Sequence, residues 1–253
     1  MKGWIYGRNP VYEALRSTRC HIREIWVAGG RRSSGLERVI RAAESKGIPI
    51  NNVERANLDS ITKSAPHQGV VGLVAHLDYA DLDNVLQKGE GDPLLLVLDG
   101  IEDPRNLGAL IRTADACAVW GVIIPKDRAA GITPVVAKTS AGAVFHRPVI
   151  RVTNIPTTLR RIKDRGIWVV GADTAAETQV FNQDLTIPLA LVIGGEAKGM
   201  RPLVKRECDL LVSIPMKGEV NSLNASVAGA IVLYEALRQR QNPYGRALDP
   251  FET

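Results

Sequence analysis

Residues 92–241 alternate between short apolar runs and stretches in which apolar positions recur every three or four residues. A short run that is almost wholly apolar predicts a strand buried on both faces, as in a parallel sheet. Alternation of such strands with helices predicts an α/β domain, with a mainly parallel sheet covered on both faces. The expected strands span 94–98, 121–124, 149–152, 167–170, 189–193 and 211–214, and the expected helices span 106–118, 133–141 and 155–164, with a last helix after Asn221.

Residues 1–77 alternate in the same way and predict a second, small α/β domain. Asn9 precedes Pro10 at the start of a helical pattern, so Asn9 is the expected helix cap. Pro49 predicts an edge strand, because proline lacks the amide that a central strand donates. The expected helices span 10–16, 35–46 and 58–63, and the expected strands span 24–28, 48–53 and 70–75.

Two other segments differ in composition from these regions. Residues 78–91 carry one Lys against three Asp and one Glu and end in glycine-rich sequence, which predicts a linker whose first half could form a short helix. Residues 242–253 contain two prolines, one glycine and no apolar period, which predicts a loose C-terminal tail.

The positive charge of the chain is concentrated at its start. The net charge is +5, and residues 1–77 hold 12 Lys and Arg against 6 Asp and Glu. A basic lobe on a milder body is consistent with an anionic partner, nucleic acid first, and equally with a solvated basic face.

Several classes of protein are disfavoured by what the sequence lacks. No apolar run is long enough to suggest a membrane helix, and the N-terminus has no apolar core of a signal peptide. The three cysteines and four histidines are scattered, so we expect no metal site and reduced thiols, as in a cytoplasmic protein.

Three polar, glycine-containing segments follow predicted strands, at the sheet edge where parallel α/β folds bind ligands. The first, 99–108, leads into a helix where Arg112 stands among mostly apolar residues. A buried arginine needs an anionic partner, and a guanidinium group matches both phosphate and carboxylate. Asn106 is an expected cap of this helix.

The other two segments are ambiguous when each is taken alone. Residues 194–200 have the spacing GGxxxG, which is neither a dinucleotide-binding nor a Walker pattern, and Glu196 could serve only the dipole of a following helix. In the third segment four polar residues precede the last helix, although one side chain is enough for a cap. These are Asn221, Ser222, Asn224 and Ser226.

Taken together and in order, the three segments resemble the signature motifs of the SpoU–TrmH (SPOUT) family of RNA ribose 2′-O-methyltransferases. The resemblance covers 92–241, with Ala225 standing where valine is common. It extends to the N-terminal region, which is similar to the RNA-binding lobe of the branch that modifies large-subunit ribosomal RNA. The residues that carry it are 106–114, 191–200, 214–216 and 222–228, with 5–15 and His67-Gln68-Gly69 in the lobe.

The resemblance implies a SPOUT domain at 92–241 with a mainly parallel sheet and a deep trefoil knot. It also implies an RNA-binding domain of the ribosomal L30e type at 1–77, a linker at 78–91, and a homodimer with the active site near the subunit interface. S-adenosylmethionine is the implied cofactor. Its expected binding residues are Gly194, Gly195, Ile214, Met216 and Leu223.

The resemblance also implies the residues of the reaction, which are Asn106, Arg112, Glu196, Ser222 and Asn224. The family's arginine is proposed to activate the hydroxyl, but a guanidinium group effectively keeps its proton. We therefore expect Arg112 to hold the substrate phosphate and stabilise the developing alkoxide, while the phosphate or a water takes the proton. Glu196 is expected to hold its own loop, with Arg112 as a further candidate partner.

The expected substrate is ribosomal RNA, specifically a guanosine in the peptidyl-transferase loop of 23S rRNA. Transfer RNA, or the ribosomal site of a resistance methylase, is the alternative within the family. A non-catalytic RNA-binding assembly factor is the alternative from another class, and the intact Arg112, Glu196 and Asn224 disfavour it. A nicotinamide enzyme is disfavoured because no GxGxxG follows the first strand of the larger domain.

Overall fold

The computed structural model describes residues 1–30, 33–89, 91–196 and 198–241. Within these residues the chain forms one sheet of four strands and one of six. The predicted tail, 242–253, lies outside the described residues. The strands are β1 Gly3–Tyr6, β2 Cys20–Ala28, β3 Ile50–Val53, β4 Val70–Leu77, β5 Leu94–Asp99, β6 Gly121–Pro125, β7 Val149–Val152, β8 Trp168–Ala172, β9 Leu189–Gly194 and β10 Leu210–Val212, and the helices are α1 Arg8–Arg16, α2 Ser34–Glu44, α3 Arg55–Thr62, α4 Leu82–Lys88, α5 Pro104–Ala116, α6 Pro134–Thr139, α7 Ile155–Lys163, α8 Pro202–Glu207 and α9 Ala225–Gln241.

The N-terminal lobe is built on the smaller sheet, in the order β1-β4-β2-β3, with β2 and β3 parallel and the other neighbours antiparallel. β3 lies at the edge, as Pro49 predicted. The prediction missed β1, whose four residues are too few to establish an alternating pattern. The predicted cap of α1 was wrong, because Gly7 precedes the helix and Asn9 lies inside it.

The larger sheet has the order β10-β8-β9-β5-β6-β7, and within the described residues every neighbouring pair is parallel. Alternate residues of β5 join different hydrophobic clusters: Leu96 packs in the cluster of α5 and α9, and Val97 in the cluster of α7. The predicted parallel α/β sheet with both faces covered is therefore confirmed. The trefoil knot stays a prediction.

The segment predicted as a linker is packed against the larger sheet. It contains α4, whose Leu82 and Val85 are buried in the same cluster as α7. The Ala80 amide donates to the Val149 carbonyl at 2.7 Å, which adds a bridge beside β7. Residues 78–89 therefore belong to the body of the protein and are not a free connection.

The N-terminal lobe is docked firmly on the larger domain. Buried residues of both regions, including Leu15 and Phe145, form one continuous hydrophobic cluster. The Ser17 hydroxyl donates to the Phe145 carbonyl at 2.6 Å, and Lys138 Nζ donates to Gln68 Oε1 at 3.2 Å.

Within the described residues, no helix has the length and apolar character that crossing a bilayer requires.

Candidate active site

A cavity of about 400 Å³ opens where the carboxyl ends of β8, β9 and β10 meet. This is the sheet edge at which parallel α/β folds bind ligands. The structure brings most of the predicted site residues to this one cavity. Among its lining residues are Gly194, Gly195, Glu196, Ile214, Met216, Ser222 and Leu223.

The two glycines of the cavity allow backbone segments to approach closely. A Cβ atom on Gly194 would lie 2.2 Å from the carbonyl carbon of Gly199, and one on Gly195 would lie 2.4 Å from the Gly100 carbonyl oxygen. Real Cβ atoms are not found at such distances from backbone, so both positions require glycine for space. The GGxxxG spacing thus reflects packing of the loop after β9 against the end of β5.

A chain of hydrogen bonds joins the three polar segments. Asn106 Nδ2 donates to Glu196 Oε1 at 2.6 Å, and Asn224 Nδ2 donates to Asn106 Oδ1 at 3.1 Å. Asn106 therefore uses both ends of its amide, one toward each of the other segments. These bonds link residues 90 and 118 positions apart in the sequence.

Asn224 is also the residue that caps α9. Its Oδ1 accepts from the Ser226 amide at 2.9 Å, from the Ser226 hydroxyl at 2.6 Å and, more weakly, from the Val227 amide at 3.4 Å. The same side chain donates to Asn106, so one asparagine both starts the helix and ties it to the first segment. Ser222 remains exposed at the cavity.

Two predicted roles in this region were wrong. The cap of α5 is Asp103, whose carboxylate accepts from the Arg105 amide at 2.7 Å, so Asn106 is free for its bonds across the site. Glu196 does not begin a helix, because α8 starts only at Pro202. Its hydrogen-bond partner is Asn106 and not Arg112.

Arg112 lies apart from this cavity. It is exposed on α5 and lines a different cavity of about 570 Å³, together with Glu13, Arg16, Asp115 and His146. The expectation of a buried arginine was wrong, since the helix turns this position toward the lobe and solvent. Within the described residues, Arg112 has no hydrogen bond or ion pair.

Sequence reasoning missed Asp173, which lines the first cavity just after β8. Lys205 pairs with its carboxylate at 2.8 Å and the Ala175 amide donates at 2.9 Å. Burial raises the pKa of Asp173, but these hydrogen bonds outweigh burial and hold the pKa below its ordinary value. Asp173 could have been found from its position directly after a parallel strand, where ligands bind in such folds. No glycine motif marks this strand end.

The first cavity combines carboxylates with apolar side chains and backbone. Glu196 and Lys198 place charges of both signs there, and the charge of Asp173 is paired with Lys205. Ile214, Met216 and Leu223 supply apolar surface. Such a lining suits an organic ligand that combines apolar parts with charged groups. The second cavity, with its unpaired arginine, suits an anion.

Comparison with known proteins gives two family matches. Residues 93–234 match the SpoU rRNA Methylase family, and residues 4–80 match the RNA 2′-O ribose methyltransferase substrate-binding family. A Bacillus subtilis relative, the putative TrmH family tRNA/rRNA methyltransferase YacO, is 47% identical over 96% of this chain and 97% of its own. The 23S rRNA (guanosine-2′-O-)-methyltransferase RlmB of Pseudomonas putida is 43% identical over 94% and 96%.

Solved structures agree with these matches. The SpoU methyltransferase AviRb from Streptomyces viridochromogenes, crystallised with AdoMet, superposes with a TM-score of 0.80 at 29% identity. The superposition covers 94% of this chain and 90% of that one. An rRNA methyltransferase from Sinorhizobium meliloti with bound AdoMet superposes with a TM-score of 0.78 at 26% identity, over 94% of this chain and 87% of that one.

Proposed function

The chain belongs to the SpoU rRNA methylase family, and we propose that it methylates a ribose 2′-hydroxyl of RNA with S-adenosylmethionine as methyl donor. The observation that carries the proposal is the hydrogen-bonded chain Glu196–Asn106–Asn224 beside the glycine-walled cavity. This chain gathers the three polar segments into one site. If each segment served only its own local fold, no such contact between them would be required.

The residues of the first cavity fit the cofactor. S-adenosylmethionine supplies a methyl group activated by a positively charged sulfur, and the lining offers the Glu196 carboxylate toward positive charge and Lys198 toward negative charge. Ile214, Met216 and Leu223 can cover apolar parts of the molecule. The volume of about 400 Å³ is in the usual range of small-molecule sites.

In the proposed mechanism Arg112 acts on the RNA side of the reaction. Its guanidinium group, which lies outside the cofactor cavity, holds a substrate phosphate and stabilises negative charge on the 2′-oxygen once bound RNA brings the ribose to it. Arginine itself stays protonated. The proton passes to the phosphate or to a water. Asn106, Glu196, Ser222 and Asn224 position the loops and the ribose, which makes alignment the main contribution of these residues.

The proposed substrate is a guanosine of 23S rRNA. The RlmB name of the Pseudomonas relative and the match of the lobe to a substrate-binding family support this choice. The basic lobe would bind RNA phosphates, so RNA affinity is expected to fall steeply with salt.

The test is methylation of RNA with labelled S-adenosylmethionine, followed by mapping of the modified ribose. Total RNA, an unmodified 23S transcript and mature ribosomes are compared. Label in a guanosine of the peptidyl-transferase loop supports the proposal, and no labelled RNA at any salt concentration refutes it. Arg112→Ala is expected to abolish turnover and spare cofactor binding, while Arg206→Ala, an exposed arginine on α8, retains turnover.

We also propose that the protein acts as a homodimer through the outer face of α9. Val227 is 46% and Tyr234 53% exposed on this helix, and Met216 and Leu223 are exposed nearby. A second copy of the chain is proposed to bury these side chains, since large apolar groups clustered on a surface favour association.

We place the protein in the cytoplasm, a proposal supported by its three free cysteines.

Sedimentation of the wild-type protein and of Tyr234→Glu tests the dimer. The substitution is expected to shift the protein toward monomer by burying a charge in the interface. Trp168→Glu is the control, because Trp168 is similarly exposed, at 49%, but lies on β8. A wild-type monomer at micromolar concentration would exclude the dimer.

A further inference from the structure

The cavity that contains Arg112 lies between the N-terminal lobe and the larger domain. We call it the lobe–α5 cavity, and it measures about 570 Å³. α1 of the lobe contributes Glu13 and Arg16, and α5 contributes Arg112 and Asp115. Its other lining residues come from the segment after α6 and are Ser140, Ala141, Ala143, His146 and Arg147.

The two carboxylates of the cavity are already engaged. Glu13 Oε2 lies 2.8 Å from His146 Nε2, and Asp115 accepts from Arg147 Nε at 2.8 Å. Arg147 also donates to the Val119 carbonyl at 2.7 Å. These contacts fix Arg147 on Asp115 and leave Glu13 shared between His146 and Arg16, so among the described residues Arg112 is the arginine of this cavity without an acidic partner.

Arg16 and Arg112 keep most of their hydrogen-bonding capacity. Arg16 makes one hydrogen bond, at 3.3 Å to Glu13, and its guanidinium group also lies 5.5 Å from the centre of the Tyr12 ring. Its side chain is 59% exposed, and His146 contacts the same Glu13 carboxylate. Arg112 has no hydrogen-bond or ion-pair partner in the described part of the chain. A guanidinium group offers five N–H donors, so two such groups at one cavity can hold a phosphate from two sides.

The positions of the two arginines are set by the docking of the lobe. The contact of Ser17 with the Phe145 carbonyl is buried at 2.6 Å, directly after the helix that carries Arg16. The contact between Glu13 and His146 joins the same two regions. Arg16 is thus held against the domain that carries Arg112, although the two residues belong to different domains.

We propose that the lobe–α5 cavity is a phosphate site for the RNA backbone, in which Arg16 of the lobe and Arg112 of α5 bind the same phosphodiester. This inference rests on the proposed function and adds Arg16 to it as a substrate-binding residue. It also gives the lobe a direct part in positioning RNA at the catalytic domain.

A double-mutant cycle on RNA affinity tests the shared phosphate. The probe is an unmodified transcript containing the peptidyl-transferase loop of 23S rRNA. Arg16→Met and Arg112→Met are each expected to weaken its binding about tenfold, the loss of one charge-assisted contact. Each is also expected to reduce the salt slope of log K by about 0.7 to 0.9. The double variant is expected to lose less than the product of the two single losses, because each arginine holds the shared phosphate best while the other is present.

Several outcomes would overturn the inference. Unchanged affinity in Arg16→Met would exclude Arg16, and losses that multiply to about a hundredfold would show two independent contacts. If inorganic phosphate binds the cavity but neither variant affects RNA, the site serves a free phosphate compound. Arg16→Lys is expected to recover part of the affinity, since it keeps the charge without the fork.

Controls separate this inference from other failures. Arg206→Met removes the same charge from exposed α8 and is expected to leave RNA affinity within about twofold, as surface substitutions usually do. Melting temperatures should match the wild type, because the Arg16–Glu13 pair is exposed. If the wild type binds the transcript without methylating it, the proposed function fails, and the cycle still decides the phosphate site.

Discussion

Arg201 holds the buried carboxylate of Asp99 from two directions. The Arg201 amide donates to Oδ2 and Nε donates to Oδ1, each at 2.7 Å, and Nη2 pairs with the same carboxylate. Asp99 ends β5, and Arg201 directly precedes α8. The pair therefore fastens the far end of the glycine loop, 194–200, to the strand against which Gly195 packs.

Asp99→Asn is expected to loosen this loop, because it keeps the size of the side chain and removes its charge. The free energy of unfolding should fall by about 1–3 kcal/mol, as for a weakened charged hydrogen bond, and cofactor affinity should fall with it. Urea unfolding and calorimetric titration measure the two effects. Asp83→Asn, which weakens exposed pairs with Arg161 and Arg165, should cost under about 1 kcal/mol. Equal losses in both variants would contradict this prediction.

Gly194→Ala is expected to abolish cofactor binding. The added Cβ would meet the backbone of Gly199 and Met200 at 2.2 Å, so the loop must move. Gly218→Ala is the matched control, since nothing lies within 4 Å of its Cβ position in the loop after β10. Titration with S-adenosylmethionine should show binding by the control and none by Gly194→Ala. Normal binding by both variants would mean that the loop tolerates displacement.

Asn106→Asp is expected to slow methyl transfer about tenfold or more with a smaller effect on folding. A carboxylate cannot donate to Glu196 and repels it, so the chain through Asn224 breaks at its centre. Single-turnover methylation and thermal unfolding separate the two effects. Asn57→Asp, at an exposed position of α3, adds the same charge away from the site. A rate equal to that of the control would remove the chain from any positioning role.

The three cysteines are expected to react slowly with iodoacetamide in the folded protein. Burial raises the pKa of Cys208 to about 12 and the pKa values of Cys20 and Cys117 to about 11, from an ordinary 9.0. Two pKa units lower the reactive thiolate fraction about a hundredfold at mildly alkaline pH. Mass spectrometry should find rapid labelling only in denaturing urea. Fast labelling of native Cys208 would contradict the raised pKa of its thiol.

The elements of the larger domain were predictable because its strands are buried on both faces. A run such as 94–98 is apolar throughout, and no other arrangement of a short segment suits that pattern as well. β1 escaped prediction because only Ile5 of its four residues is fully buried. The helical character of α4 was expected only in part, since acidic residues around Leu82 and Val85 concealed its apolar face.

The residues of the first cavity were predictable by resemblance, but their contacts were not. Asn106 looked like a helix cap, and Asp103 takes that role because Pro104 can follow it as the first helical residue. Its actual partners lie 90 and 118 positions away, a distance that no local pattern reports. The exposure of Arg112 likewise depends on how the lobe packs against α5. This tertiary arrangement cannot be read from the local sequence.

The cap of α9 has a consequence for how the protein is made. Asn106 is synthesised long before Asn224, and until the last helix forms it lacks the donor that orients its amide. The cavity draws its lining from residues 172–228, so a nascent chain that lacks the end of this stretch has no complete site. Under the proposed function, a copy can modify ribosomal RNA only after residue 228 has been synthesised and the last helix has formed.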